Sequence, residues 1–327
     1  MKTRVLSGMQ PSGLLHLGNL FGALDNFKRL QAEHECFYVV ADWHALSTNY
    51  EDTTRIREYT REVLIDWLAS GLDPERATLF IQSRVPEHAI LHLLLSMITP
   101  VPWLERNPTY KEKQDNIEGR DLSTYGFLGY PVLQTADILL YKGDFVPVGV
   151  DQLPHLELSR EIARRFNQLY KPVFPEPQAL LTEIPKVPGT DGRKMSKSYN
   201  NTINLSDPEA TVRSKLKTMI TDPARIRRAD KGNPDVCPVF SLHKSISARP
   251  VIDQVNQECR TAAIGCIDCK KLLADGLVTL LTPTWDKRRE LAQTPKRVDE
   301  VIDAGTIKAG AVARQTIAEV SDAMRIS

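Results

Sequence analysis

At 327 residues the chain is long enough for one large domain or two modest ones with a sizeable core. Its composition, 42% apolar and 25% charged, is that of an ordinary globular protein. The net charge of +1 excludes a uniformly basic nucleic-acid coat but leaves room for a local basic patch. The opening run Met1 to Gly8 holds no apolar core of signal-peptide length. The apolar stretch Ala89 to Leu104 is broken by His92, Ser96, Thr99, Pro100 and Pro102, so it reads as a buried helix end and not a membrane span. A cytoplasmic protein with no membrane partner is expected.

In chain order, Arg4 to Met9 predicts a strand that ends in the turn Gln10-Pro11-Ser12-Gly13. Leu17 to Glu33 predicts a helix with Leu20, Phe21, Leu24, Phe27 and Leu30 on one face. Cys36 to Ala41 is apolar throughout and of strand length, Thr53 to Ser70 is helical with Tyr59, Val63 and Trp67 in phase, and Ala77 to Gln82 is another short strand. Strand, helix, strand, helix, strand predicts a parallel sheet wrapped by helices. Val146 to Gly149 predicts a later strand, and His155 to Asn167 the helix after it. Pro172 to Pro188 reads as a proline-rich connector, and from Asp207 onward the pattern is helical. The expectation is an α/β fold: an open parallel sheet domain over residues 1–204 and an all-helical domain over 205–327.

Two segments carry the chemistry of phosphate. Gln10-Pro11-Ser12-Gly13-Leu14-Leu15-His16-Leu17-Gly18-Asn19 follows the first strand and opens the first helix. An open parallel sheet binds ligands beyond the carboxyl ends of its strands, and a helix start offers free N–H groups and a positive dipole to an anion. Gly18 permits close approach of the backbone, and His16 and Asn19 share a helix face from which both can donate. Alone, the segment reads equally as a tight turn, a cap and a satisfied histidine. The second segment is Gly189-Thr190-Asp191-Gly192-Arg193-Lys194-Met195-Ser196-Lys197-Ser198, where cations and hydroxyls on a glycine-bearing loop can gather around a polyphosphate or simply form a solvated basic loop.

Together the two segments resemble the paired signature of the class I aminoacyl-tRNA synthetases. His16-Leu17-Gly18-Asn19 is similar to their HxGH element, with asparagine last as in the tryptophanyl branch, and Lys194 to Ser198 matches KMSKS letter for letter. The resemblance implies a Rossmann-like catalytic domain and catalysis by positioning and charge stabilisation, because the substrate carboxylate is itself the nucleophile. It implies catalytic roles for His16, Asn19, Lys194 and Lys197. Gln10, Pro11, Ser12, Gly18, Asn19, Gly149, Val150, Asp151, Val187, Lys194, Met195, Ser196, Lys197 and Ser198 are implied as the ATP contacts, with Lys111 and Lys113 as further phosphate contacts and Mg²⁺ arriving with ATP. Val150 departs from the family pattern, which has glutamate there in a Gly-Glu-Asp-Gln segment.

Gly129 to Tyr141, followed by Phe145 to Gln152 and His155 to Leu158, resembles the tryptophanyl and tyrosyl subfamily. Indole has one donor, its N–H, and a large apolar body; a buried carboxylate can accept the former. By resemblance Asp137 is that acceptor, and Gly8, His44, Tyr130, Gln134, Val146, Val148 and Gln152 shape or flank the pocket. The Asp137–Gln134 pair alone would also serve a phenol. The runs Gly18 to Leu24 and Val39 to Leu46 resemble the bacterial-type tryptophanyl enzymes more, which implies L-tryptophan, ATP and tRNA(Trp) as substrates, an anticodon-binding role for the helical domain, and a homodimer. Alternatives are a tyrosyl enzyme, a small-molecule nucleotidyltransferase or a non-catalytic paralogue.

Four of the five cysteines, Cys237, Cys259, Cys266 and Cys269, fall in one stretch ending in a C-x2-C pair, a spacing that favours tetrahedral thiolate ligation over disulfides in a reducing compartment. Zinc is the generic candidate. A subset of the tryptophanyl branch with a four-iron four-sulfur cluster is similar at this spacing and through Gly265 to Lys271, and implies that cluster. Arg225, Arg227, Arg228 and Lys231 form a basic cluster that could meet RNA phosphates. Cys36 is expected in the core.

Overall fold

The computed structural model describes residues 2–107, 123–181 and 187–326. Lys111 and Lys113 lie outside the described residues. The contacts group the chain into two compact units, one of Met1–Ser12, Phe27–Glu183 and Thr294–Ser327, the other of Gly13–Asn26 and Ile184–Gln293. Both units are discontinuous in sequence. Gly13–Asn26 leaves the sheet-bearing segment and the C-terminal helix joins it, because a helix joins the unit that buries its apolar face, whatever its place in the sequence.

The first unit holds a parallel five-stranded sheet in the order β3-β2-β1-β4-β5: β1 Arg4–Met9, β2 Glu35–Val40, β3 Ala77–Ile81, β4 Phe145–Val148 and β5 Gln178–Leu181. The interior strand β2 is buried on both faces from Cys36 to Val40, which is why its sequence is a continuous apolar run and not an alternating one. β5 lies inside the stretch expected as a connector. It is a short edge strand after Pro175 and Pro177 with exposed ends, so neither periodicity nor composition marked it. The opposite edge, β3, is covered by the helix Pro295–Met324. A Cβ on Gly305 would come within 1.9 Å of the Leu79 carbonyl oxygen, so helix backbone lies directly against strand backbone, with Ala309 and Ala313 fully buried alongside. This blunts a sheet edge that would otherwise invite pairing. The strand order reverses between β1 and β4, and the crevice at that switch point is where such a sheet receives a ligand.

The expected helix Leu17–Glu33 is interrupted by a π-helical stretch, Leu20–Leu24, between Leu17–Asn19 and Asp25–Glu33. In the second unit the helices Glu209–Thr218, Pro238–Ile246, Arg249–Arg260 and Cys266–Gln293 bury Leu216, Val239, Leu242, Val255, Leu273, Leu277 and Leu281. No helix among the described residues is long and apolar enough to cross a membrane.

Candidate active site

At the switch point of the first unit, the carboxyl ends of β1 and β4 open into a cavity of about 320 Å³. Gly8, His44, Tyr130, Gln134, Asp137, Val146, Val148 and Gln152 all line it, so every residue expected from sequence to read the amino acid converges on one hollow. Gly8 sits opposite Val39 in the β1–β2 register, and a Cβ there would lie 2.4 Å from the Val39 carbonyl oxygen; any larger residue would push the strands apart beside the cavity. Tyr130, Gln134 and Asp137 come from the helix Tyr125–Leu140, capped by the Thr124 side chain accepting from Phe127 N–H. Pro131 interrupts its bonding pattern without ending it.

Asp137 is 4% exposed and its carboxylate is held by three side chains. His44 Nε2 donates to Oδ2 at 2.8 Å, His88 Nδ1 donates to Oδ1 at 2.7 Å, and the Gln82 amide donates to Oδ1 at 2.8 Å and Oδ2 at 3.0 Å. Burial alone would raise this carboxyl, yet the bonds from His44 and His88 hold it well below the usual carboxylate range, so it is ionised. Behind it, His88 Nε2 pairs with the Tyr141 hydroxyl at 2.7 Å. Burial, the largest cause, pushes the Tyr141 phenol far up, so it keeps its proton and can donate to His88 Nε2. On the cavity's other side, Asn107 Nδ2 donates to His155 Nδ1 at 3.0 Å, which places the His155 proton on Nε2, 3.1 Å from the Tyr130 oxygen. Gln82 and His88 were not singled out from sequence, and Tyr141 only as the end of the Gly129–Tyr141 run; the fold brings all three together behind Asp137.

The second unit carries the other predicted residues. His16 caps the helix start, its Nδ1 accepting from Gly18 N–H at 3.1 Å while its own N–H donates to Asn19 Oδ1 at 3.0 Å. The expectation of a cap and that of a phosphate ligand are thus compatible: with Nδ1 accepting, the ring proton is on Nε2, and Asn19 keeps its donors on Nδ2. Burial first, then the nearby Lys197 charge, lowers the His16 pKa to about 4, so the ring is neutral at neutral pH. Gly18 is required because a Cβ would lie 2.9 Å from the His16 ring. Lys197 Nζ donates to the Gly13 carbonyl at 2.9 Å, and Gly13 has φ +139°, a conformation that side-chain-bearing residues rarely adopt.

Asn201, 2% exposed, shapes the Lys194–Ser198 loop and had not been singled out from sequence. Its Oδ1 accepts from Ser196 N–H at 2.8 Å, and its Nδ2 donates to Asp191 at 2.7 Å and to the Lys194 carbonyl at 3.2 Å. Gly189 leaves room for it, since a Cβ there would come within 2.2 Å of its amide. Val187 and Met195 are buried and paired through Met195 N–H to Val187 carbonyl at 2.9 Å, whereas Lys194 and Ser198 are exposed. Of the first unit's expected ATP contacts, Gln10 and Gly149 line the 320 Å³ cavity, Pro11 and Ser12 line a separate one of about 260 Å³, and Val150 is 71% exposed. A larger hollow of about 880 Å³ in that unit is lined by none of the expected site residues, and its Arg61 and Arg84 are paired to Asp299 and Asp303.

The four clustered cysteines line one small cavity in the second unit, together with Arg225. Arg225 is 8% exposed; it points to Cys259 Sγ at 3.7 Å and donates to the carbonyls of Arg228 and Ile264, so it is a buried tie and not the RNA contact expected from sequence. Arg227, Arg228 and Lys231 are exposed. Burial first, then the other three cysteines, pushes the Cys269 thiol up to about 12. Among the described residues no group of three or more His, Cys, Asp or Glu is arranged to hold a metal ion. The donor set is nonetheless chemically apt: four thiols on one cavity beside a buried cation suit a thiolate-bound group. Cys36 is buried in β2, as expected.

Comparison with known proteins adds a family. Residues 1–282 match the model of the class I tRNA synthetases (W and Y). A tryptophan–tRNA ligase of Thermotoga maritima is 54% identical over 99% of both chains, and one of Aquifex aeolicus is 45% identical over 99% of this chain and 100% of its own. The crystal structure of a tryptophanyl-tRNA synthetase from Campylobacter jejuni, complexed with ADP and tryptophan, superimposes with a TM-score of 0.91 at 32% identity over 99% of this chain and 100% of that one.

Proposed function

The chain belongs to the class I tRNA synthetase family of the tryptophan and tyrosine enzymes, and we propose that it is the tryptophan-specific ligase. It activates L-tryptophan with ATP to tryptophanyl-adenylate and pyrophosphate, then transfers tryptophan to the 3′ end of tRNA(Trp). The observation that carries this reading is the convergence of all eight expected amino-acid contacts on one hollow with a buried, ionised carboxylate. Its volume, about 320 Å³, suits a small aromatic ligand. ATP–pyrophosphate exchange with each amino acid in turn tests it: tryptophan alone should drive rapid exchange, and equal exchange with tyrosine would leave the family and remove the specificity.

Asp137 accepts the indole N–H, with Gly8, His44, Tyr130, Gln134, Val146, Val148 and Gln152 around the substrate. In the second unit, neutral His16 donates from Nε2 and Asn19 from Nδ2 to ATP phosphate oxygens, while Lys194 and Lys197 neutralise charge growing on the leaving pyrophosphate. The family resemblance implies Gln10, Pro11, Ser12, Gly18, Gly149, Val150, Asp151, Val187, Met195, Ser196 and Ser198 as the further ATP contacts. Mg²⁺ comes with the nucleotide. Val150 replaces a carboxylate by an apolar side chain, so it contributes contact area and no hydrogen bond.

Cys237, Cys259, Cys266 and Cys269 hold a four-iron four-sulfur cluster, supported by their placement on one cavity. The group supplies folding energy to the helical region, and exposed Arg227, Arg228 and Lys231 nearby in sequence meet phosphates of the anticodon arm. Anaerobically purified protein should be brown and contain iron and acid-labile sulfide; a colourless protein with one zinc per chain would put zinc there instead. A homodimer is supported by an exposed apolar face in the first unit, where Ile90, Leu93, Met97, Val101 and Tyr125 are each 43–69% exposed. The working compartment is the cytoplasm.

A further inference from the structure

The side chains behind Asp137 carry a consequence for substrate choice, one that rests on reading the 320 Å³ cavity as the tryptophan site. His44 lines that cavity and bonds Oδ2, so Oδ2 is the oxygen on the cavity side. His88 and Gln82, both 0% exposed, do not line it and bond Oδ1 from behind. A carboxylate has about four lone-pair positions. His88 and Gln82 occupy those of Oδ1; His44 and the longer Gln82 contact occupy those of Oδ2. An incoming N–H therefore takes the place of the 3.0 Å Gln82–Oδ2 contact, the weakest of the set, while Gln82 stays on Oδ1. The donors in this ring are spent on other members of it: the His44 Nε2–H, the His88 Nδ1–H and the Gln82 amide on Asp137, and the Tyr141 hydroxyl on His88.

We propose that His88 is a positioning and specificity-determining residue: together with Gln82 and Tyr141 it fixes Asp137 as a pure acceptor that suits an indole N–H and offers no donor to a phenol oxygen. A tyrosine hydroxyl could give its proton to Oδ2, but the groups that hold Asp137 would leave its own oxygen without a bond from that side, which disfavours tyrosine. Removing the His88 ring releases the Tyr141 hydroxyl and loosens Gln82, whose amide N–H can then turn to a ligand beside Oδ2. Loss of one of the bonds holding the anion also leaves burial, the largest cause, to raise the Asp137 carboxyl above ordinary values. The other ionisable groups facing it are His44 on the helix Asp42–Asn49, His92 on the helix Glu87–Ser96, and Tyr141, with Glu87 acting on Tyr141.

The test is pyrophosphate exchange with the full-length protein and its His88→Leu, His88→Asn and Tyr141→Phe variants, each first shown to be folded by circular dichroism. In His88→Leu the KM for tryptophan should rise about tenfold, and the ratio of tyrosine Ki to tryptophan KM should fall about tenfold. Turnover at saturating tryptophan and the KM for ATP should stay unchanged. Its tryptophan KM should worsen as pH falls from neutral toward about 5, where the parent's stays flat, because a protonated Asp137 loses part of its acceptor capacity. His88→Asn, whose amide stands in for the Nδ1–H donor, should restore the KM and the flat profile. Tyr141→Phe should show a smaller loss of selectivity. A folded His88→Leu with the parent's tryptophan KM and pH profile, or an asparagine variant no better than leucine, would overturn the inference. Asp137→Asn separates the two layers: if it leaves tryptophan binding intact, the reading of the cavity itself fails; if it weakens tryptophan while His88→Leu does not, only the role of His88 fails.

Discussion

The amino-acid cavity of the first unit and the lysine loop of the second are built on opposite plans. Asp137 is 4% exposed and bonded on both oxygens by three side chains from other elements, so its geometry exists before any ligand arrives. Lys194 and Ser198 are exposed, and the loop that carries them is held mainly by one buried amide, Asn201, and by the tie from Lys197 to Gly13. The contrast follows from the two tasks. Telling one aromatic ring from another needs rigid, desolvated partners whose mispairing is costly. Stabilising charge that appears only as pyrophosphate departs needs cations placed at that charge, and these add little if they bind ATP equally well in the ground state.

The first way to break this comparison is Lys197→Ala. Removing one charge-stabilising donor costs on the order of a hundredfold to a thousandfold in turnover. The single-turnover rate of tryptophan activation should fall by that amount, while ATP affinity, measured by equilibrium dialysis, falls much less. A variant with normal turnover and poor ATP binding would make the lysine a plain binding residue and erase the distinction between the two regions.

Asp137→Ala probes the other side. Tryptophan affinity should drop roughly tenfold to a hundredfold, since the buried indole donor loses a partner at about 1–3 kcal/mol, and ATP affinity should hold. The structure adds a second expectation: His44, Gln82 and His88 lose their shared acceptor as well, so the thermal midpoint should fall too, by more than in an Asn variant that keeps the volume. Equal losses in tryptophan and ATP affinity would deny the separation of roles.

The unequal legibility of the two regions has the same origin. The lysine loop is contiguous, so Lys194 to Ser198 could be read from the string, and so could the turn from Gln10 to Asn19. The amino-acid cavity was legible only through resemblance, because its parts lie on β1, β2, β4 and several helices scattered between Leu6 and His155. Asp137 stood out with Gln134 as a polar pair in an apolar helix, but His88 and Gln82 did not: Gln82-Ser83-Arg84 and Glu87-His88 read as polar segments at element ends and carry no period and no motif. The strands β1 to β4 were visible as apolar runs, while β5 was hidden by prolines and by its half-exposed edge position. The C-terminal segment was legible as helical, but its grouping with the sheet was not, because helical periodicity states which face is buried and not against what.

A smaller effect is expected from Asn201→Ala. Three bonds that shape the loop disappear, but no group that would touch substrate does. Activation should slow about tenfold, consistent with about 1–1.5 kcal/mol for a lost hydrogen-bond set of this kind, with tryptophan affinity unchanged. Loss of tryptophan affinity in step with rate would mean that the two regions do not act separately.

The smallest effect sharpens the comparison most, because it concerns a proton. His16 has its pKa lowered to about 4, first by burial and then by the Lys197 charge. Between that value and the ordinary one near 6.5 the unfolded chain binds a proton that the folded chain does not. This group therefore adds to stability fully above about pH 6.5, and the contribution is lost as pH falls toward about 4. Activation should accordingly show no inflection from His16 around pH 6.5, since the neutral Nε2–H donor persists well below it. Carbon-13 or nitrogen-15 NMR of the labelled imidazole should give a midpoint near 4 in the parent. In Lys197→Ala the midpoint should move up only part of the way, because burial, the larger cause, remains. A midpoint near 6.5 in the parent would mean that His16 is charged through much of the working range, and that the phosphate-binding region acts by one cation more than the neutral cap allows.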